Sequence, residues 1–158
     1  MPAPAATPAF WSLALAEIAD PDYADVAVGV LPAHATSDPA AWARSLFSRR
    51  SLPVWLVVLV VMRQVLAPLV GIPRVPRDRF RVHCVAGDEA LLAIDDRHLD
   101  VRVGVGVDEE HGIVRVVTAV RMKGWRGRLY MVPVRMVHPH LVNAMIARSR
   151  RNLSGVTA

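Results

Sequence analysis

Six ionisable side chains crowd into the eight residues Asp95-Asp96-Arg97-His98-Leu99-Asp100-Val101-Arg102, in a chain whose mean hydropathy is +0.31. Charge at that density in an apolar chain serves either as a working site or as the solvated face of a sheet. On a strand, His98 and Asp100 project from the same face, a spacing that lets a carboxylate orient an imidazole as a general base. Tyr130 is a third acid–base candidate, with Arg128 and Arg135 near it in sequence. His138 and His140 form a His-x-His pair, but on a helix residues i and i+2 diverge by about 200° and cannot share a metal. No carboxylate lies near them and Cys84 is the single cysteine, so no metal site is expected. Gly104-Val105-Gly106 matches part of a dinucleotide fingerprint, yet it lies inside a strand pattern and opens no helix; no cofactor is expected.

The hydrophobic pattern predicts the elements that must position these residues. Asp22 to Leu31 alternates as a strand and Pro32 closes it. Asp38 offers an N-cap and Pro39 an N1 residue for a short helix through Trp42, Leu46 and Phe47. An apolar stretch from about Pro53 to Val70 predicts a buried helix. Its first run, Leu52 to Met62, falls well short of the roughly 20 residues that span a bilayer, and Arg63 and Pro68 interrupt its continuation. Ile72 to Arg79 is a connector rich in Pro and Arg.

From Phe80 the period becomes two. Phe80, Val82 and Cys84 share a face, Glu89 to Ile94 makes the next strand, Arg97 to Val107 the longest and Ile113 to Met122 the last. After Gly127, Leu129, Val132, Pro133, Met136, His140, Leu141, Ala144, Met145 and Arg148 recur at helical spacing. They predict a C-terminal helix ending near Arg151, kinked or shortened by Pro133 and Pro139. The expected fold is α+β: a twisted antiparallel meander packed against a long C-terminal helix. Residues 21–152 form its single domain, 1–20 a flexible arm and 153–158 a flexible tail.

Within that meander the charged block resolves face by face. Leu99, Val101, Val103, Val105 and Val107 point one way, and His98, Asp100, Arg102, Gly104 and Gly106 the other. Matching the apolar faces of the last two strands sets Asp100 opposite Arg121, as an exposed cross-strand ion pair. The polar block then becomes the outer, wet face of the sheet.

Composition narrows the function further. A chain of 158 residues fits one domain, and 53% hydrophobic residues place it far from disorder. The net charge of +5 comes from scattered arginines and the single Lys123, without aromatic residues interleaved as base-stacking platforms, so no nucleic-acid partner is expected. The densest run, Arg148 to Arg151, suits the negative end of a helix dipole. Met1 to Ala9 lacks the positive segment of a signal peptide, which points to a cytoplasmic protein. Cys84, in an alternating apolar segment, is expected to be buried.

The run Asp95-Asp96-Arg97-His98-Leu99-Asp100-x-Arg102 resembles the signature strand of the family catalogued as domain of unknown function 2867. The resemblance extends to Asp22-Tyr23-Ala24-Asp25, Trp42-Ala43-Arg44-Ser45-Leu46-Phe47, Arg63, Gly127-Arg128-Leu129-Tyr130 and His138, covering about Asp22 to Arg148. Met136 and Val137 stand where that family has a Pro-Phe pair, and Val101 where an aromatic residue is common. The resemblance implies similarity to the helix-grip superfamily of START-like lipid carriers, polyketide cyclases and plant allergen-type binders. It brings no catalytic residues with it. The first expectation is therefore an apolar small molecule or lipid held between sheet and terminal helix, lined by Leu99, Val101, Val103, Val116, Val120, Tyr130, Met136 and Met145. The second is a cofactor-independent cyclase or isomerase, with His98, Asp100 and Tyr130 as acid–base groups. The third is a peripheral membrane or structural module, resting on Leu52 to Ile72.

Overall fold

A computed structural model describes residues 11–48, 50–53 and 81–155. Its elements are α1 (Leu13–Glu17), β1 (Tyr23–Val30), α2 (Pro39–Leu46), β2 (Val82–Ala86), β3 (Glu89–Asp95), β4 (Leu99–Asp108), β5 (Ile113–Met122) and a terminal helix, α3 (Gly124–Leu153). The predicted apolar helix over 53–70, the connector after it and Phe80 lie outside the described residues, apart from Pro53 itself.

The five strands form one antiparallel sheet in the order β1-β5-β4-β3-β2. The expected α+β architecture holds: β2 to β5 run as a meander, β1 adds beside β5, and the long helix packs on one face. Gly87, with φ of 60°, makes the two-residue turn between β2 and β3, a backbone conformation that costs a side chain dearly. The predicted register between β4 and β5 is the observed one, with Asp100 opposite Arg121.

The principal core lies between the sheet and α2 and α3. It gathers Ala27, Leu92, Val103, Val105, Val107, Val114 and Val116 from the strands, Trp42, Ala43 and Leu46 from α2, and Val142, Met145 and Ile146 from α3. Helix α2 begins as its residues dictate. The Asp38 carboxylate accepts from the Ala40 and Ala41 amides, Pro39 occupies the first turn, and the buried Trp42 donates from Nε1 to the Thr36 carbonyl at 2.7 Å.

The opposite face is not wet throughout. Helix α1 lies on it and buries Ala14 and Ile18 against Leu91, Val117 and Ala119. The stretch expected to be a flexible arm to residue 20 is therefore docked from Ser12 to Ile18. Leu91, Val117 and Ala119 are the physical reason, because apolar side chains on a sheet face need a cover. Beneath α1, Glu89 is fully buried; its Oε1 accepts from Ser12 Oγ at 2.6 Å and from the Leu13 amide at 3.1 Å, and Oε2 lies 3.5 Å from Arg115 Nη2. A Cβ at Gly104 would run into Glu89 Oε1, and one at Gly106 would come within 2.7 Å of the Arg115 guanidinium. The Gly-Val-Gly of β4 is thus the bare floor on which a buried ion pair lies.

Two further expectations change. Cys84 is exposed, because β2 is an edge strand whose register slips between Val82 and Cys84. Helix α3 is not shortened by Pro133 and Pro139 but continues through both. Each proline costs one backbone bond, to the carbonyls of Leu129 and Arg135, and both of those residues are exposed, where water can replace the lost donor.

Candidate functional site

Helix α3 turns a different side to the sheet from the one its most apolar stripe suggests. The buried positions are Gly127, Met131, Val142, Met145, Ile146 and Ser149, and the half-buried His138 falls on the same side. Two glycines bring the helix close. A Cβ at Gly127 would collide with the His98 carbonyl, and one at Gly29 of β1 would stand 2.5 Å from Ile146 Cγ2. These contacts set the height of α3 above β1 and β5.

Under the middle of the helix, β1 supplies Tyr23 and Asp25 on the side that faces it. Cross-strand rows run Val101–Val120–Tyr23 and Val103–Thr118–Asp25, so two polar groups end rows of largely apolar side chains. His138 Nδ1 lies 3.0 Å from Asp25 Oδ2 and 3.4 Å from Tyr23 Oη. The imidazole stands edge-on to the Tyr23 ring, with centroids 5.8 Å apart. Arg135, one turn earlier on α3, stacks its guanidinium over the other part of the cluster, 5.8 Å from the Tyr23 ring, and donates to the Asp22 carbonyl at 3.3 Å. Asp22 in turn accepts from the Met122 amide at 2.6 Å and so fixes the start of β1 against the end of β5.

The His138 and Asp25 side chains are only 17% and 19% exposed. Burial, then the neighbouring Asp25 carboxylate, push the Tyr23 phenol above its ordinary pKa, with Arg135 opposing. Tyr23 is therefore a neutral hydroxyl at physiological pH. A carboxylate on Nδ1 is the arrangement that fixes an imidazole's orientation and leaves Nε2 as the working nitrogen. Among the described residues, no three His, Cys, Asp or Glu side chains converge to hold a metal ion.

The expected site residues divide into two groups. Val101, Val103, Val116, Val120 and Met145 do lie together on the side covered by α3. Leu99 is half-buried beside Gly127, Tyr130 is half-buried, and Met136 points to solvent with 75% of its surface exposed. The proposed His98–Asp100 pair does not form. His98 sits in the turn before β4, where its carbonyl accepts from the Lys123 amide, and the Asp100 carboxylate pairs with Lys123 Nζ rather than with imidazole or Arg121. Arg102 in the same block binds Asp95 of β3 and Glu17 of α1, which ties α1 to the sheet.

The Tyr23–Asp25–His138 cluster joins residues more than a hundred positions apart, and no local pattern announces it. Its one sequence signal was that Asp22-Tyr23-Ala24-Asp25 and His138 each carried part of the family resemblance. A cleft of about 310 Å³ also opens on the surface, but at the far end of α3, lined by Pro32, Ala147, Arg150, Arg151 and Ser154. None of the expected site residues reaches it.

The model of the family described as "Protein of unknown function (DUF2867)" matches residues 18–145. That span runs from the end of α1 to the buried Met145 of α3 and includes the whole sheet and the Tyr23–Asp25–His138 cluster. No curated protein and no solved structure matches the chain.

Proposed function

The chain belongs to the DUF2867 family, and from that premise we propose that it binds an apolar small molecule or lipid with a polar head between the sheet and α3. Tyr23, Asp25 and His138 engage the head, and Val101, Val103, Val116, Val120 and Met145 meet the apolar body. One observation carries this reading: a half-buried His–Asp–Tyr cluster ends rows of largely apolar side chains beneath a long helix. A few placed polar groups in an apolar lining are the usual composition of a small-molecule site. The sheet-and-helix arrangement supports relating the fold to the helix-grip ligand binders. Native mass spectrometry of the protein purified from its own host tests the reading. A non-covalent adduct is expected, with lower occupancy in Asp25→Asn and His138→Gln. A bare chain that also fails to take up an added long-chain fatty acid would sink it.

The dyad favours a second reading, proton transfer on the bound molecule. Asp25 on Nδ1 would turn Nε2 toward the ligand as general base, and the neutral Tyr23 hydroxyl would donate a proton. The cofactor-independent cyclase or isomerase would then use these residues instead of His98, Asp100 and Tyr130. Conversion of the co-purified compound by wild type, and its binding without conversion by His138→Gln, is the expected outcome. Binding without conversion by both proteins returns the site to a carrier.

A further inference from the structure

The side of α3 turned away from the sheet is apolar as well. Trp125, Leu129, Val132 and Met136 are 68%, 64%, 60% and 75% exposed. Spaced by four, three and four residues, they fall within a wedge of about 60° at 100° per residue. This stripe lies opposite the buried one of Gly127, Met131, His138 and Val142. Arginines border it on both flanks, Arg126 on one and Arg128 and Arg135 on the other, and Arg126 lies 5.5 Å from the Trp125 ring centroid. The charge that the helix itself carries has one sign, since no Asp or Glu occurs anywhere in α3 or after Glu110.

We propose that this N-terminal half of α3 docks on an anionic lipid surface, with Trp125, Leu129, Val132 and Met136 entering the headgroup boundary and Arg126 and Arg128 meeting lipid phosphates. A helix that lies in a membrane interface combines an apolar stripe carrying Trp and Leu with flanking arginines. The charge selects among occupants. A second copy packed on the same stripe about a two-fold axis would set arginine against arginine, with no acidic residue on α3 to pair with either. Nucleic acid would meet one aromatic platform and three aliphatic side chains, which do not stack on bases. An anionic bilayer satisfies both the apolar stripe and its cationic borders. The surface is separate from the Tyr23–Asp25–His138 cluster, so it stands or falls independently of the proposed ligand.

Co-sedimentation of the full chain with vesicles of phosphatidylcholine, with and without phosphatidylglycerol, tests it. Binding to the phosphatidylglycerol vesicles is expected, weakening as salt is raised. Arg126→Gln and Arg128→Gln should each lower partitioning by about fivefold, as about 1 kcal/mol per arginine near an anionic surface implies. The triple change Trp125→Ser, Leu129→Ser, Met136→Ser should abolish binding, while His138→Gln should leave it intact. Circular dichroism checks that the triple variant keeps its helix, as exposed substitutions should allow. Absence of binding, or binding that the triple variant retains, overturns the proposal. So does a dimer, by sedimentation equilibrium, that the triple variant dissociates, or displacement from the vesicles by double-stranded DNA at equal charge.

Discussion

Tyr23 reports the environment of the cluster most directly. Burial and the Asp25 carboxylate raise its phenol above the ordinary value near 10. In a Tyr130→Phe background, which leaves Tyr23 as the single tyrosine, phenolate absorbance is expected to appear only above that pH, and Asp25→Asn should bring it part of the way back. A titration at the ordinary value would place Tyr23 in open solvent. The two close-approach glycines give a second test. At Gly127 an added Cβ meets the backbone carbonyl of His98, whereas at Gly29 it meets the Cγ2 methyl of the buried Ile146, a side-chain atom that can give more than backbone can. Gly127→Ala is therefore expected to lose about 1–3 kcal/mol in urea unfolding, and Gly29→Ala less. Equal losses would mean that α3 shifts as a whole to relieve either contact. Gly104 and Gly106 follow the same steric logic; in sequence they matched part of a dinucleotide fingerprint, and the closeness of Glu89 and Arg115 explains them.

At the level of elements, α1 is held less by its length than by the carboxylate under its first turn. Ser12 Oγ accepts from the Ala14 amide as an N-cap and donates to Glu89. Ser12→Ala removes a cap and leaves Glu89 Oε1 short of one donor, so a loss of about 1–3 kcal/mol is expected by thermal or urea unfolding. Proteolysis near residue 12 should increase in parallel; an unchanged midpoint would show that α1 contributes nothing to the sheet. Helix α3 shows why its orientation could not be read from the chain. Its first half is apolar on two opposite sides, so the period of 3.6 identifies a helix but not which side packs. The Leu129–Val132–Met136 stripe is the more conspicuous one, yet Gly127 and His138 occupy the covered side because only there can the helix approach β1 and the His98 carbonyl.

For the whole molecule, acid should act through the pairs that bind strand ends to one another. The hydrogen bond from Arg102 holds the Asp95 carboxyl below the usual carboxylate range, and hydrogen bonds from the His111 amide and ring do the same for Asp108. A depressed folded-state pKa means the stabilisation is complete above the unfolded value near 4 and is lost as pH falls through the lower folded value. The urea midpoint is thus expected to fall as the pH is taken below about 4, with a shallower slope in Asp95→Asn. An identical slope in that variant would remove Asp95 from the account.

Legible in the chain alone were β1, the helix α2 with its Asp38 cap, the meander, the terminal helix and the Asp100–Arg121 register. Alternation, turn residues and caps are local, and matching two apolar faces leaves one register between β4 and β5. The remaining features came from contacts between distant segments. They put α1 over a face that looked wet, paired Asp100 with Lys123 and not with His98, and brought His138 to Tyr23 and Asp25 across more than a hundred residues. Those outcomes depend on which side of a two-sided helix meets the sheet, and that choice is made by close approach and burial between distant segments.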